Sequence, residues 1–243
     1  MMPERELLML AGAAVAALLL IAFFCRSKRV YFIRHGRTLL NEQRIKQGAE
    51  GGLSESGKAQ ARIVGAALRD AHIGVICSSP YERAKETAEL IRESVHAPIR
   101  YTPLLAERKN PSEVIGKPVD DPEVKKAMGA TAYGFHDDEY RYADEENFVD
   151  LKARAKKCLA YLESRPASVV CAVTHHAFLH MLLSYMLVGE RLTAAEFTKL
   201  SFFNPAENGG ITVCEYSPLR RFTKGRGWEI WEYNATIPGA PAE

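Results

Sequence analysis

Arginine and histidine side chains directly follow several apolar segments of this sequence. In "VYFIRHGRT", a run of mostly β-forming residues, Val30 to Ile33, ends at Arg34 and His35. Arg83 follows a second apolar segment, within "SSPYERA", and His175 follows another, within "VTHHAFLH". The guanidinium fork of arginine matches the oxygens of a phosphate group, and a neutral imidazole can act as a nucleophile. These residue types therefore indicate a pocket for an anion.

The elements that must position these side chains are strands that alternate with amphipathic helices. Apolar runs predict strands at 30–33, 73–77, 99–101, 168–173, 211–216 and 228–233. Helical spacing of apolar residues predicts helices at 56–69, 80–94, 148–163, 176–188 and 193–200. This alternation predicts an α/β fold, a three-layer αβα sandwich with a mostly parallel central sheet. Ligands of such sheets bind beyond the C-terminal ends of the strands, where the arginines and histidines converge.

The helix that carries Arg83 shows residues typical of a helix start. Ser79 is the expected N-cap, Pro80 the first helical residue, and Glu82 the partner that completes a capping box. Arg83 is then expected in the first turn, beside backbone N–H groups that favour anions.

Residues 103–146 do not continue the alternation. This stretch is rich in proline and glycine and contains the acidic run "HDDEYRYADEE". Long irregular insertions in compact domains are typical of lids and binding loops. We therefore expect residues 103–146 to form a lid over the site.

The composition is that of an ordinary globular protein of 243 residues, with 47% hydrophobic and 26% charged residues. A net charge of +2 gives no support for a nucleic-acid partner. His176 and His180 share a helix face, which suggests a metal site, but Ala177 stands where zinc proteases need glutamate. We therefore predict no metal and interpret His180 as a structural residue.

The N-terminus carries a separate apolar segment. Leu7 to Cys25 is a stretch of 19 residues without a charge, about the length that crosses a bilayer as a helix. The leader "MMPERE" and the terminal Phe23-Phe24 are unlike a cleaved signal peptide. We expect an uncleaved anchor over residues 1–28 and a second domain over residues 29–243. Because Arg26, Lys28 and Arg29 follow the span, that domain is expected on the cytoplasmic side.

Four segments in order resemble the histidine phosphatase superfamily, whose fold is that of cofactor-dependent phosphoglycerate mutase. They are "IRHGRTLLN", "GGLSESGKAQA", "CSSPYERAKETA" and "VTHHAFLHMLL", and the resemblance extends over roughly residues 29–216. It implies a phosphoric monoester hydrolase that uses no metal or cofactor. Its substrate would be a phosphorylated small molecule or a phosphopeptide.

The resemblance also implies roles for single residues. His35 would be the nucleophile that becomes phosphohistidine, while Arg34, Arg83 and His175 would bind the phosphoryl group. Asn41 would lie at the rim of the pocket, and Gly36 would let the backbone turn tightly and approach the phosphate.

The family's proton donor is an acidic residue between the second and fourth segments. Glu107, in "LLAERKNPSEVIGKP", is the first candidate and Glu113 the alternative. The stretch "RKNPSE" lacks the tyrosine and glycine that mutases carry there. A phosphoglycerate-type mutase therefore ranks second. A membrane-tethered binding or scaffold module on the same fold is a third hypothesis, disfavoured by the intact set of site residues.

Overall fold

The computed structural model describes residues 6, 9, 12, 15, 26–202, 206–224 and 227–237. Within them, six strands form one sheet in the order β3-β2-β4-β1-β5-β6. The strands are β1 Lys28–Arg34, β2 Val75–Ser78, β3 Ile99–Tyr101, β4 Val169–Thr174, β5 Ile211–Tyr216 and β6 Trp228–Ala235. β3, β2, β4 and β1 run parallel, whereas β5 is antiparallel to both β1 and β6. The predicted α/β sandwich is confirmed, with a sheet that is mixed.

Helices cover both faces of the sheet. They are α1 Leu39–Glu42, α2 Glu55–Ala67, α3 Glu82–Val95, α4 Pro122–Tyr133, α5 Phe148–Glu163, α6 His176–Val188, α7 Ala194–Phe202 and α8 Pro218–Lys224. On one face, α2 and α3 bury residues such as Val64 and Ile91 against Ile33 of the sheet. On the other face, α5, α6 and α7 form the larger core around Phe32 and Phe178.

The apolar spacing of α5 explains how such a helix is recognised from its sequence. Its buried positions include Leu151, Ala155, Cys158 and Leu162, which recur every three to four residues. That spacing places them on one side of a helix with 3.6 residues per turn, and this side faces the sheet. The predicted bounds of α5, α6 and β5 agree with the structure.

The pairing of β1 with β4 brings their last residues side by side. Arg34 lies opposite Thr174 in this parallel pair. His35 directly follows β1 and His175 directly follows β4, so both residues lie at the same edge of the sheet. The backbone N–H of His35 donates to the Thr174 carbonyl oxygen at 3.0 Å and continues the strand pairing to the site.

The predicted start of α3 is wrong by two residues. The helix begins at Glu82, its N-cap is Tyr81, and no side chain caps it. The Ser79 hydroxyl instead contacts His175 Nε2, and the Glu82 carboxylate accepts the Gly51 N–H at 2.9 Å. The residues of the predicted capping box are therefore engaged elsewhere, and Arg83 still lies in the first helical turn.

Residues 103–146 are more regular than expected. They contain short 3₁₀ turns and the helix α4, which begins at Pro122 with Asp121 as its N-cap. Val114, Val124 and Ala127 form a small core of this segment. Backbone bonds such as Lys46 N–H to the Lys117 carbonyl oxygen, 3.0 Å, join the segment to the loop after α1. Whether it closes over the site stays a prediction.

The predicted membrane span, Leu7 to Cys25, lies outside the described residues except at positions 9, 12 and 15. Among the residues that the structure does describe, no helix has the length and apolar character needed to cross a bilayer.

Candidate active site

His35 is the first residue after β1, and only 4% of its surface is exposed. Its ring Nδ1 lies 2.8 Å from the carbonyl oxygen of Gly36. A carbonyl oxygen can only accept a hydrogen bond, so Nδ1 of the neutral ring carries the proton. Nε2 therefore keeps a lone pair, which is the group that a nucleophile needs.

Two arginine side chains extend to the same edge of the sheet. Arg83 is almost fully buried, and its Nε donates to His35 Nε2 at 3.2 Å. Its Nη1 donates to the Gly48 carbonyl oxygen at 2.8 Å, which fixes the direction of the guanidinium. Arg34 is held by a hydrogen bond from Nη1 to the Ala206 carbonyl oxygen. Both arginines are therefore held at the edge of the sheet where β1 ends.

His175 completes the group of predicted phosphate-binding residues. It is fully buried, and its ring centroid lies 5.0 Å from that of His35. Ser79 Oγ lies 2.8 Å from its Nε2, and the Tyr81 ring packs edge-on against it at 5.1 Å. Four of the predicted site residues, Arg34, His35, Arg83 and His175, are thus brought to one edge of the sheet.

The surroundings of both histidines disfavour the imidazolium form. Burial lowers the pKa of His35 well below its ordinary value, and the positive charges of Arg83 and Arg34 lower it further. Burial likewise holds the pKa of His175 far below 6.5, with contributions from His35 and Arg83. Near neutral pH both rings are uncharged, which leaves His35 able to attack an electrophilic phosphorus.

Glu107 lies at the N-terminus of α6, next to His175. Its carboxylate accepts the N–H groups of Phe178 at 3.0 Å and Ala177 at 3.3 Å. It also accepts the N–H of Arg108 at 2.9 Å. Unpaired N–H donors at a helix N-terminus attract a carboxylate, so these contacts hold Glu107 at the edge of the sheet where the two histidines lie.

Arg154 fixes the loop that carries Glu107. It donates to the Ala106 carbonyl oxygen at 2.7 Å and pairs with Glu146 through two bonds of 2.6 Å each. Its guanidinium lies 3.9 Å from the centroid of the Phe178 ring. Because Phe178 belongs to α6, Arg154 joins both ends of the segment 103–146 to that helix.

The other two predicted positions are not joined to this group. Glu113 is exposed and interacts with Tyr142 within the insertion. Asn41 is partly buried in α1, where its amide oxygen accepts the Thr38 N–H at 3.2 Å in a capping box. Within the described residues, no hydrogen bond links Asn41 to His35, so its place at the pocket rim stays a prediction.

The second pair of histidines lies beside the site. The rings of His176 and His180 are 4.7 Å apart, and the Nδ1 of His176 is 3.3 Å from the Ala206 carbonyl oxygen. Burial lowers the pKa of His180 to about 4. The part of the chain that is described contains no group of three or more side chains able to hold a metal ion.

Gly36 is needed for a different reason from the one expected. The φ angle of Gly36 is outside the left-handed region. Among the described residues, the glycines with a φ in that region are Gly51, Gly116, Gly189 and Gly209. A Cβ at position 36 would instead lie 2.4 Å from the carbonyl oxygen of Gly57 in α2. The structure thus gives a packing reason for glycine at position 36, the close approach of two backbone segments, while its expected approach to the phosphate stays a prediction.

Sequence reasoning missed several residues of the site. Ser79 is predicted as the N-cap of α3 and Tyr81 is given no role, although both contact His175. Asn208 donates its side-chain N–H to the His35 carbonyl oxygen at 2.8 Å and precedes β5. The position of Ser79 directly after a strand could have indicated its role, whereas no local pattern marks Asn208.

Comparison with known proteins gives a consistent result. The family model described as "Histidine phosphatase superfamily (branch 1)" matches residues 30–226. A Bacillus subtilis protein named "Uncharacterized phosphatase PhoE" is 31% identical over 163 residues, which cover 66% of this chain and 78% of that protein. A Yersinia pestis protein named "Probable phosphoglycerate mutase GpmB" is 31% identical over 163 residues, which cover 65% of this chain and 74% of that one.

Solved structures share the fold. The mycobacterial glucosyl-3-phosphoglycerate phosphatase has a TM-score of 0.71 and 24% identity, covering 87% of this chain and all of that chain (100%). The alpha-ribazole phosphatase from Shigella flexneri has a TM-score of 0.69 and 18% identity, covering 88% of this chain and 99% of that one. At these identities the likeness supports the architecture alone.

Proposed function

Because the chain belongs to the histidine phosphatase superfamily and is a phosphatase, we propose that it hydrolyses phosphomonoesters through a phosphohistidine on His35. In this proposal Arg34, Arg83 and His175 bind the phosphoryl group, Glu107 moves the proton, and no metal takes part. The predicted recognition of the family is confirmed by the match. The mechanism and the residue roles are our proposal.

The reaction proceeds in two steps. In the first, the Nε2 lone pair of His35 attacks phosphorus, the ester P–O bond breaks, and the acid form of Glu107 protonates the leaving oxygen. In the second, Glu107 takes a proton from water, the water oxygen attacks phosphorus, and the P–N bond breaks to release inorganic phosphate. The N–H groups of Ala177 and Phe178 stabilise the carboxylate that this second step needs.

The observation that carries this proposal is the state of the His35 ring. A neutral imidazole, with its proton fixed on Nδ1 by Gly36 and its Nε2 beside Arg83, has the form that attack on phosphorus requires. The arginine charges then stabilise negative charge on the transferred phosphoryl oxygens, which is the main protein contribution in this type of reaction.

The direct test is the variant His35→Ala in the full-length protein. With a chromogenic aryl phosphate as substrate, we expect turnover to be lost. Wild type that is quenched during turnover with detergent at alkaline pH should carry phosphate on His35 that is stable in base and labile in acid. A matched control is His96→Asn, since His96 is exposed at the end of α3 and should leave activity normal. Full activity of His35→Ala would refute the proposal.

The mutase is the second candidate, favoured by the similarity to the Yersinia pestis protein. It differs from a phosphatase in the acceptor, because a mutase returns the phosphoryl group to the substrate and releases little inorganic phosphate. Incubation with 3-phosphoglycerate and measurement of both 2-phosphoglycerate and phosphate separates the two activities. A scaffold module would show neither activity, and His35→Ala would then leave its function intact.

For location and substrate, we propose that Leu7 to Cys25 tethers the domain to the membrane, with the catalytic domain on the cytoplasmic side. Support comes from the 19 uncharged residues and the basic residues that follow. The substrate is a phosphorylated small molecule or a phosphopeptide, and residues 103–146 cover it. Carbonate washing of membranes and protease treatment of sealed cells test the tether, and a shortened soluble mature form would refute it.

A further inference from the structure

A hydrogen bond between Ser79 and His175 lies directly behind the proposed phosphate site. Ser79 Oγ and His175 Nε2 are 2.8 Å apart, and both residues are fully buried. Ser79 follows β2 and His175 follows the neighbouring strand β4. The backbone N–H of Ser79 donates to the Val173 carbonyl oxygen at 3.0 Å, so the two strand ends are held together. The contact is therefore built into the sheet.

The protons of this contact can be assigned by counting donors and acceptors. Ser79 Oγ accepts the backbone N–H of Tyr81 at 3.2 Å, and the hydroxyl has a single proton to donate. Among the hydrogen bonds of the described residues, His175 Nε2 is the one acceptor within reach of that proton. The opposite arrangement would leave both the hydroxyl proton and the Nδ1 lone pair of His175 without a partner, whereas this one leaves only the Nδ1–H group, so it is the less costly of the two. The Ser79 hydroxyl thus donates to Nε2.

This assignment determines which nitrogen of His175 can donate. The ring is neutral near pH 7, because burial and the neighbouring His35 and Arg83 lower its pKa. A neutral imidazole has one N–H group, and since Nε2 accepts from Ser79, the proton is on Nδ1. Within the described part of the chain, Nδ1 has no hydrogen-bond partner. It is the polar ring atom left for a phosphoryl oxygen.

We propose that Ser79 is a positioning residue that fixes His175 as the Nδ1–H tautomer, so that the ring donates a hydrogen bond to the phosphoryl group on His35. The other tautomer would turn a lone pair towards an anion and repel it. This inference rests on the proposed phosphatase function, and it adds a residue that acts through His175 without touching the substrate. No proton is transferred between Ser79 and His175 during the reaction.

The test compares the full-length wild type with Ser79→Ala, Ser79→Thr and the control Ser184→Ala. Ser184 is also buried but lies on α6 within the apolar core, away from His35. Imidazole ¹⁵N NMR on histidine-labelled protein, assigned with His175→Asn, reports the tautomer directly. We expect Nδ1–H in wild type and a shift towards Nε2–H in Ser79→Ala.

Activity and vanadate binding should follow the tautomer. Loss of one hydrogen bond to a charged group predicts a fall of about tenfold to hundredfold in kcat/KM and in vanadate affinity for Ser79→Ala. Ser79→Thr keeps the hydroxyl and should restore the wild-type tautomer, with recovery of most of the affinity. Ser184→Ala should change neither property. Thermal unfolding of each variant separates these effects from loss of folding.

The outcomes that overturn the inference differ from those that overturn the function. An Nε2–H tautomer in wild type, a doubly protonated His175 in the vanadate complex, or an unchanged tautomer in Ser79→Ala would each refute the role of Ser79. In all three cases His35→Ala would still be inactive. If His35→Ala keeps its activity, the phosphatase mechanism fails instead, whatever the tautomer of His175.

Discussion

A single methyl group at position 57 should disable the site without touching any residue that binds phosphate. Gly57 lies in the first turn of α2, where the backbone of Arg37 crosses the helix. A Cβ at position 57 would lie 1.9 Å from the Arg37 carbonyl oxygen and 2.7 Å from its nitrogen. Arg37 is two residues after His35, so any separation of strand and helix moves the segment that holds the nucleophile.

The size of the effect follows from this distance. Because real Cβ atoms do not approach other heavy atoms closer than 3.0 Å, the two backbones must separate by about 1 Å. A displacement of about 1 Å in a catalytic group lowers the rate by about 100-fold. In an exposed helix, Gly→Ala stabilises by about 1 kcal/mol, whereas overpacking costs about 1 to 3 kcal/mol. Subtracting the gain from the cost, we expect Gly57→Ala to lower the free energy of unfolding by up to about 2 kcal/mol.

The assay measures kcat/KM and the free energy of unfolding for Gly57→Ala and for Gly129→Ala. Gly129 is the matched control because it is also helical, is exposed on α4, and has no heavy atom within 4 Å of an added Cβ. The control should gain up to about 1 kcal/mol and keep its activity. If Gly57→Ala were as stable and as active as Gly129→Ala, the backbone contact would not position His35.

Two further predictions concern protonation. Burial and the positive charge of Arg83 lower the pKa of His35, so Arg83→Met should raise that pKa. The decrease of kcat/KM on the acid side of its pH profile should then move to higher pH. An acid side at the same pH as in wild type would contradict this. The pKa of His180 is about 4 in the folded protein and near 6.5 when unfolded, so folding stability should fall as the pH drops from 6.5 towards 4. The unfolded chain then binds a proton that the folded chain does not, which costs about 1.4 kcal/mol per pH unit for this residue. Denaturant titrations across this range check it, and His180→Phe should show a shallower decrease.

Much of the fold was predictable because its elements bury regular apolar patterns. The predicted bounds of α5, α6 and β5 agree with the structure because each of these elements packs a continuous apolar pattern into the core. The convergence of His35 and His175 was also predictable, since the ends of adjacent parallel strands meet at one edge of a sheet. Local pattern and strand order were sufficient for both.

The start of α3 was mispredicted because two uses of one serine compete. A serine before a proline and a glutamate satisfies the pattern of a capped helix, and nothing in the local sequence excludes that use. The hydroxyl of Ser79 bonds instead to His175, which is 96 residues away in the chain. This contact joins the ends of two strands that are distant in the sequence, so a pattern of a few consecutive residues cannot predict it. The helix α4 was missed differently, because its Asp121-Pro122 start lies within a segment interpreted as irregular.

The direction of β5 explains the last part of the site that sequence reasoning could not supply. A search for site residues after each strand assumes that every strand points towards the pocket. Because β5 is antiparallel to β1, the segment before it, and not the one after it, reaches the edge that holds His35. Asn208 and Ala206 lie in that preceding segment, and they contact the His35 carbonyl oxygen and Arg34 respectively. An antiparallel strand therefore contributes to the pocket the residues that precede it. To predict a site in a mixed sheet, the direction of each strand must be known first.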